Sequence, residues 1–114
     1  MYAEEITDIV IEAVEENDKN FIMLNYANCD LVGHTGDLEA TIKGLETVDE
    51  NLGRLVEKVE ASEYSMIVTA DHGNCEDMGT EENPNTSHTL NKVPLIYTES
   101  CEDIRSISEI RKIA

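Results

Sequence analysis

The chain has 114 residues, 40% of them apolar, which is enough for one small domain. Its formal charge is −17, from 25 acidic against 8 basic residues. That balance excludes a nucleic-acid binder, whose phosphate contacts need Lys and Arg. The acidity favours solubility and attracts divalent cations, and any phosphate-handling role requires cations, or Arg and Lys from elsewhere, to offset it.

Three cysteines, Cys29, Cys75 and Cys101, are odd in number and widely spaced, which argues against a disulfide framework. The start, Met-Tyr-Ala-Glu-Glu, lacks the basic and apolar plan of a signal peptide. No apolar run approaches the ~20 residues needed to cross a bilayer. The expectation is a cytoplasmic protein with no membrane partner, in which the glycosylation triplet Asn85-Thr86-Ser87 is a chance match.

From about Glu4 to Glu16 the pattern predicts a helix, with Ile6, Ile9, Val10, Ala13 and Val14 on one stripe. Phe21 to Tyr26 is an apolar run of strand length with polar ends, which suits a buried parallel strand. A loop from Ala27 to Gly36 carries Asp30, Gly33 and His34. Asp37 then caps a long helix reaching about Ala61. Leu38, Ile42, Leu45, Leu52, Val56 and Val59 repeat along it at three- and four-residue steps, widened by Thr41, Val48 and Leu55. The stripe reads as core packing. A coiled-coil dimer is the alternative, and Asp49 interrupts its seam.

A second strand is expected over Tyr64 to Ala70, followed by Asp71-His72-Gly73-Asn74 and a polar loop through Asn91. A third strand spans Val93 to Thr98, and Glu102 to Ala114 reads as a final helix carrying Ile104, Ile107 and Ile110. The strand, long helix, strand order predicts an α/β fold built on a parallel sheet flanked by helices.

All three histidines fall in loops. Ligands of open α/β sheets gather beyond the carboxyl ends of strands. Asp30 and His34 follow the first strand, and Asp71 and His72 follow the second. A helical turn at Asp30 would place His34 on the same face. Asp71 and His72 can both face the site at a strand-to-loop bend, and His88 closes the set from the long loop. The mixed nitrogen and oxygen donors suit Mn²⁺ or Zn²⁺ better than Mg²⁺. Two ions about 4 Å apart would suit in-line phosphoryl transfer. Histidines that only satisfy loop hydrogen bonds are the plain alternative. A structural zinc site of Cys29, His34, His72 and Cys75 is a rival that fits no common finger spacing. There is no G-x-S-x-G elbow and no P-loop.

Asp30-Leu31-Val32-Gly33-His34-Thr35-Gly36 resembles the D-x-V-G-H-[ST]-G motif of cofactor-independent phosphoglycerate mutases. Thr69-Ala70-Asp71-His72-Gly73-Asn74 resembles their T-A-D-H-G-N motif, and His88-Thr89 with Asn91 and Val93-Pro94 resembles their H-T-x-N-P-V-P stretch. The likeness runs from about Tyr2 to Thr98. It implies part of an alkaline-phosphatase-like α/β domain that holds two Mn²⁺ ions and, in the complete enzyme, interconverts 3-phosphoglycerate and 2-phosphoglycerate through a phosphoserine. By position, Asp30, His34 and His88 resemble ligands of one ion, and Asp71 and His72 ligands of the other.

The same resemblance implies that the nucleophilic serine, a further aspartate and the inserted transferase domain with its substrate-binding Arg and Lys lie outside residues 1–114. These residues are then a single partial domain, with negligible activity and weak metal binding by itself, open to a missing-half partner or to self-association. Phosphopentomutases and other phosphatases of the alkaline phosphatase superfamily share only the D-H-G core. A stand-alone metal-dependent phosphatase and a non-catalytic remnant are the competing functions. Cys29 and Lys92 stand where the family commonly has Pro, and Cys75 where a small residue is usual. A thiol beside each ligand pair predicts sensitivity to oxidation.

Overall fold

The computed structural model describes residues 2–98. Helix α1 spans Ala3–Glu16, α2 Asn28–Gly33 and α3 Leu38–Glu60, and strands β1, Ile67–Thr69, and β2, Leu95–Tyr97, follow. The helix expected over 102–114 lies outside the described residues.

Helix α3 starts where the cap was expected: the Asp37 side chain accepts from the Ala40 N–H at 3.1 Å. It lies along α1, and the contact centres on Val14, Leu55 and Val59. Val10, Ile11, Ile22, Leu24, Tyr64 and Met66 pack around those three. Arg54 pairs with Asp8 and Lys58 with Glu15 across the helix pair, both exposed to solvent and so weak. The apolar stripe of α3 is only half inward. Its buried line runs through Thr41, Gly44, Asn51, Leu55 and Val59, whereas Leu38, Ile42 and Leu45 face out. The buried polar groups bond within their own helix, Thr41 Oγ1 to the Asp37 carbonyl (2.8 Å) and Asn51 Nδ2 to the Thr47 carbonyl (2.9 Å), so burial leaves no donor unpaired there.

The α/β class stands, but the parallel pairing expected across α3, between the run Phe21–Tyr26 and β1, is not formed among the described residues. Among the described residues the sheet has two strands, β1 and β2, paired antiparallel with Val68 opposite Ile96. The long loop between them returns the chain in the opposite direction. The run Phe21–Tyr26 is extended without a ladder. Ile22, Leu24 and Tyr26 are half-buried and Phe21, Met23 and Asn25 exposed, the period-two pattern of a strand. Side chains hold it: the Tyr26 and Thr7 hydroxyls meet at 2.5 Å, and Ile22 and Leu24 join the helical core. Phe21 and Met23, 80% and 84% exposed, together with Ile67 and Ile96, leave apolar surface uncovered. No described helix is long and apolar enough to cross a membrane.

Leu55 sits at the centre of the α1–α3 contact, 4% exposed. Leu55→Ala is expected to lower the unfolding free energy by about 2–4 kcal/mol, read as a fall in the urea midpoint. A loss below about 0.5 kcal/mol, the level of an ordinary surface change, would show that this contact does not hold the fold.

Candidate metal centre

The site forms where α2 meets two loops. Residues 28–33, expected as loop, wind into the short helix α2, with His34 at its C-terminal cap. One turn separates Asp30 from His34, so both face the same way, and His34 Nε2 lies 3.1 Å from Asp30 Oδ1. Helix α2 seats on α3 at Gly44, where a Cβ would come within 3.1 Å of Val32 Cγ2.

His72 and His88 reach the same carboxylate oxygen, at 3.5 and 3.3 Å. Asp30 Oδ1 is thus the common centre of three imidazoles. His34 Nε2 and His88 Nε2 lie 3.2 Å apart, and the His72 and His88 rings stack with centroids 3.6 Å apart. Ligand atoms of Asp30, His34 and His88 all lie within 4.8 Å of one another. Asp71 is the outlier of the five predicted residues. Its side chain is 91% exposed, and its nearest approach is Oδ1 to His72 Nε2 at 3.7 Å.

The ring orientations decide the chemistry. His34 Nδ1 lies 2.6 Å from the Thr86 carbonyl oxygen, and His72 Nδ1 lies 3.1 Å from that of Gly73. A carbonyl only accepts, so in the neutral rings Nδ1 carries the proton and donates it, and each Nε2 presents a lone pair toward Asp30. Lone pairs facing a carboxylate at these distances repel. A proton or a metal ion among them turns the repulsion into attraction. The carbonyl partners on Nδ1 are the outer contacts that usually orient metal-binding histidines. The donor atoms of Asp30, His34 and His88, 3.1–3.3 Å apart, suit a shared ion with bonds of about 2 Å. The donor set therefore fits a transition-metal ion.

Asn74, absent from the sequence-based set of ligands, fixes the carboxylate. It is buried, and its Nδ2 donates to Asp30 Oδ1 at 3.1 Å. This bond first, and then the charge of the imidazoles when they carry a second proton, holds the Asp30 carboxyl below the usual aspartate range. Gly33 has no side chain because Asn74 fills its place: a Cβ there would meet Asn74 Oδ1 at 2.7 Å.

The His88 segment docks on the 71–76 loop. The Thr89 N–H donates to the Gly73 carbonyl at 2.8 Å, forming an isolated antiparallel bridge. Glu76 Oε2 accepts from the Asn74 N–H at 2.6 Å, and Oε1 accepts from Thr89 Oγ1 and from Asn91 Nδ2 at 3.1 Å. These donors, the Thr89 hydroxyl first, pull the Glu76 carboxyl down to about 2. Glu76 is one of 25 acidic residues, and only its tertiary neighbours single it out.

The thiol and imidazole zinc site is not assembled. Among the described residues the metal-competent group contains no cysteine. Burial, with Cys75 beside it, pushes the Cys29 thiol up to about 11, the wrong direction for a thiolate ligand.

A family profile described as the Metalloenzyme superfamily matches residues 1–111. The chain belongs to the metalloenzyme superfamily. Within that superfamily it is similar to proteins named 2,3-bisphosphoglycerate-independent phosphoglycerate mutase. It is 52% identical over 97 residues to that of Haloarcula marismortui and 51% over 98 residues to that of Haloquadratum walsbyi, covering 85% and 86% of this chain and 19% of each relative. The relative from Clostridium acetobutylicum is 44% identical over 111 residues, 96% of this chain and 22% of its own length. The chain spans about a fifth of the relatives it matches. The relatives are isomerases by name, and the metalloenzyme superfamily agrees with a metal-dependent site.

Asn74→Ala is expected to raise the midpoint of the Asp30 carboxyl in carboxyl-detected NMR, toward the ordinary aspartate value of about 3.9. The sign follows from the lowered folded value. The stability that Asp30 contributes is complete above its unfolded value and fades as the pH falls through its lower folded one. Removing the Asn74 amide narrows that window. An unchanged midpoint would assign the lowering to the imidazoles alone.

Proposed function

We propose that the chain is the metal-binding segment of a cofactor-independent phosphoglycerate mutase, which interconverts 3-phosphoglycerate and 2-phosphoglycerate in glycolysis and gluconeogenesis. The supporting observation is the convergence of three imidazole nitrogens on Asp30 Oδ1 within 3.1–3.5 Å. Asp30, His34 and His88 are the ligands of one ion, and Asp71 with His72 those of a second. The ions are Mn²⁺, in keeping with a mixed imidazole and carboxylate set. When bound, they stabilise the attacking and leaving oxygens of an in-line phosphoryl transfer.

The chain's own residues prepare that chemistry. Asn74 keeps Asp30 ionised and aimed at the imidazoles. The Thr86 and Gly73 carbonyls keep the Nε2 lone pairs of His34 and His72 free. Phosphate binding needs more than these residues hold, because neither 27–36 nor 71–91 contains a Lys or Arg. The nucleophilic serine that becomes phosphorylated, and the cationic substrate contacts, belong to parts of the enzyme outside this partial domain. The uncovered apolar residues Phe21, Met23, Ile67 and Ile96 are where such a part packs, or where copies self-associate in its place. The glycolytic role carries with it a cytoplasmic location.

The test is Mn²⁺ binding by the purified chain, followed by calorimetry and by electron paramagnetic resonance for nitrogen coupling. Asp30→Asn and His34→Ala are each expected to weaken binding by at least about tenfold, the scale set by losing a partner at a metal site. Equal uptake by both variants and the parent would refute the ligand assignment. With Mn²⁺ and 3-phosphoglycerate the chain alone is expected to form no 2-phosphoglycerate. Turnover by the chain alone would overturn the assignment of the nucleophile to another part.

A further inference from the structure

We infer that Glu76 is a positioning residue for His88, fixing the register in which the 88–91 segment lies on the 71–76 loop. This role presupposes, for its effect on metal binding, that His88 is a ligand as proposed above.

The three imidazoles are not held alike. His34 and His72 are each oriented through Nδ1 by a backbone carbonyl, at 2.6 and 3.1 Å. For His88, among the described residues, the hydrogen-bond, ion-pair and ring contacts are those of the cluster itself: His34 Nε2 at 3.2 Å, Asp30 Oδ1 at 3.3 Å and the stacked His72 ring. None of these polar and ring contacts sets the ring's position independently of the ligands it is meant to join, so the backbone that carries it matters more, and the adjoining backbone is anchored at Thr89.

Thr89 is held twice. Its N–H donates to the Gly73 carbonyl at 2.8 Å, and its hydroxyl donates to Glu76 Oε1. Asn91 Nδ2 donates to the same oxygen at 3.1 Å, so one carboxylate atom grips the segment at two points. The other oxygen accepts from the Asn74 N–H at 2.6 Å. Asn74 is the residue whose side chain fixes Asp30. A single carboxylate thereby ties the His88 segment to the residue that aims the central ligand. Gly73 shows how close the docking is: a Cβ there would collide with both Thr89 Oγ1 and Glu76 Oε1. Hydrogen bonds to an ionised acceptor are roughly twice as strong as neutral ones, which suits an anchor on the surface. The carboxyl, pulled down to about 2 by these donors, stays ionised throughout the range in which the protein would work.

The experiment uses the whole 114-residue chain, first without added metal. In the parent, the ring protons of His72 and His88 are expected to show a nuclear Overhauser contact, as centroids 3.6 Å apart require. Glu76→Ala is expected to abolish it while the Leu55 and Val59 signals of the helical core stay in place. Glu76→Gln, which keeps one acceptor oxygen, is expected to restore it in part. Should Glu76→Ala disturb the core, Thr89→Val combined with Asn91→Ala removes both side-chain grips with the carboxylate left intact. A His72–His88 contact that persists in Glu76→Ala, or in the Thr89→Val and Asn91→Ala pair, overturns the inference.

Titration with Co²⁺ alone is the second readout, expected to show a loss of about 10–100-fold in affinity for Glu76→Ala, as for other residues that orient ligands. If the parent takes up no Co²⁺, the metal reading fails and the ring contact still decides the role of Glu76. If every protein binds Co²⁺ equally, the inference fails and the metal reading stands.

Discussion

The site depends on one ionised carboxylate. Asp30 is where α2, the 71–76 loop and the His88 segment come together, and Oδ1 is the atom all three address. Its charge is maintained by a buried amide before any ion is considered. Without that charge the three imidazoles have nothing in common to face. The helical core serves this arrangement at one remove: α3 packs on α1, α2 packs on α3 at Gly44, and Asp30 is carried by α2.

The two glycines at the cluster have the same physical reason. Gly33 makes room for Asn74, and Gly73 makes room for the Glu76–Thr89 pair. In each case the missing side chain lets a polar group approach the backbone and fix a ligand-bearing segment. The Val-Gly-His and His-Gly-Asn stretches thus bring ligands together with the space their supports need.

The parts legible in the sequence are those governed by near neighbours. The periodicity of α1 and α3 and the Asp37 cap depend on residues within a turn of one another. So does the pairing of Asp30 with His34, which needed only one helical turn. The sequence allows Asp71 and His72 both to face the site at a strand-to-loop bend, but adjacency does not say which of them turns inward. His72 does, and Asp71 remains at the rim.

The supports of the site were not legible, because they cross the chain. Glu76 meets residues 13 and 15 positions ahead, and Asn74 meets Asp30 44 positions back. An Asn in a motif and a Glu in a very acidic loop carry no local mark of such contacts. The pairing of strands was hidden for a similar reason: the ladder joins β1 to β2 across a long return loop, and the run Phe21–Tyr26 has the alternation of a strand but no ladder among the described residues. The outward turn of Leu38, Ile42 and Leu45 was hidden because spacing alone does not say which half of an apolar stripe is covered.

His34 and His88 touch although 54 residues separate them in the chain. An ion held by both would clasp together the two ends of that stretch, a constraint that the unfolded chain lacks. Its binding energy would then be added to the energy that keeps the chain folded. Resistance to unfolding would rise with the concentration of free ion, and a chelator would act as a mild denaturant, loosening first the segment that carries His88.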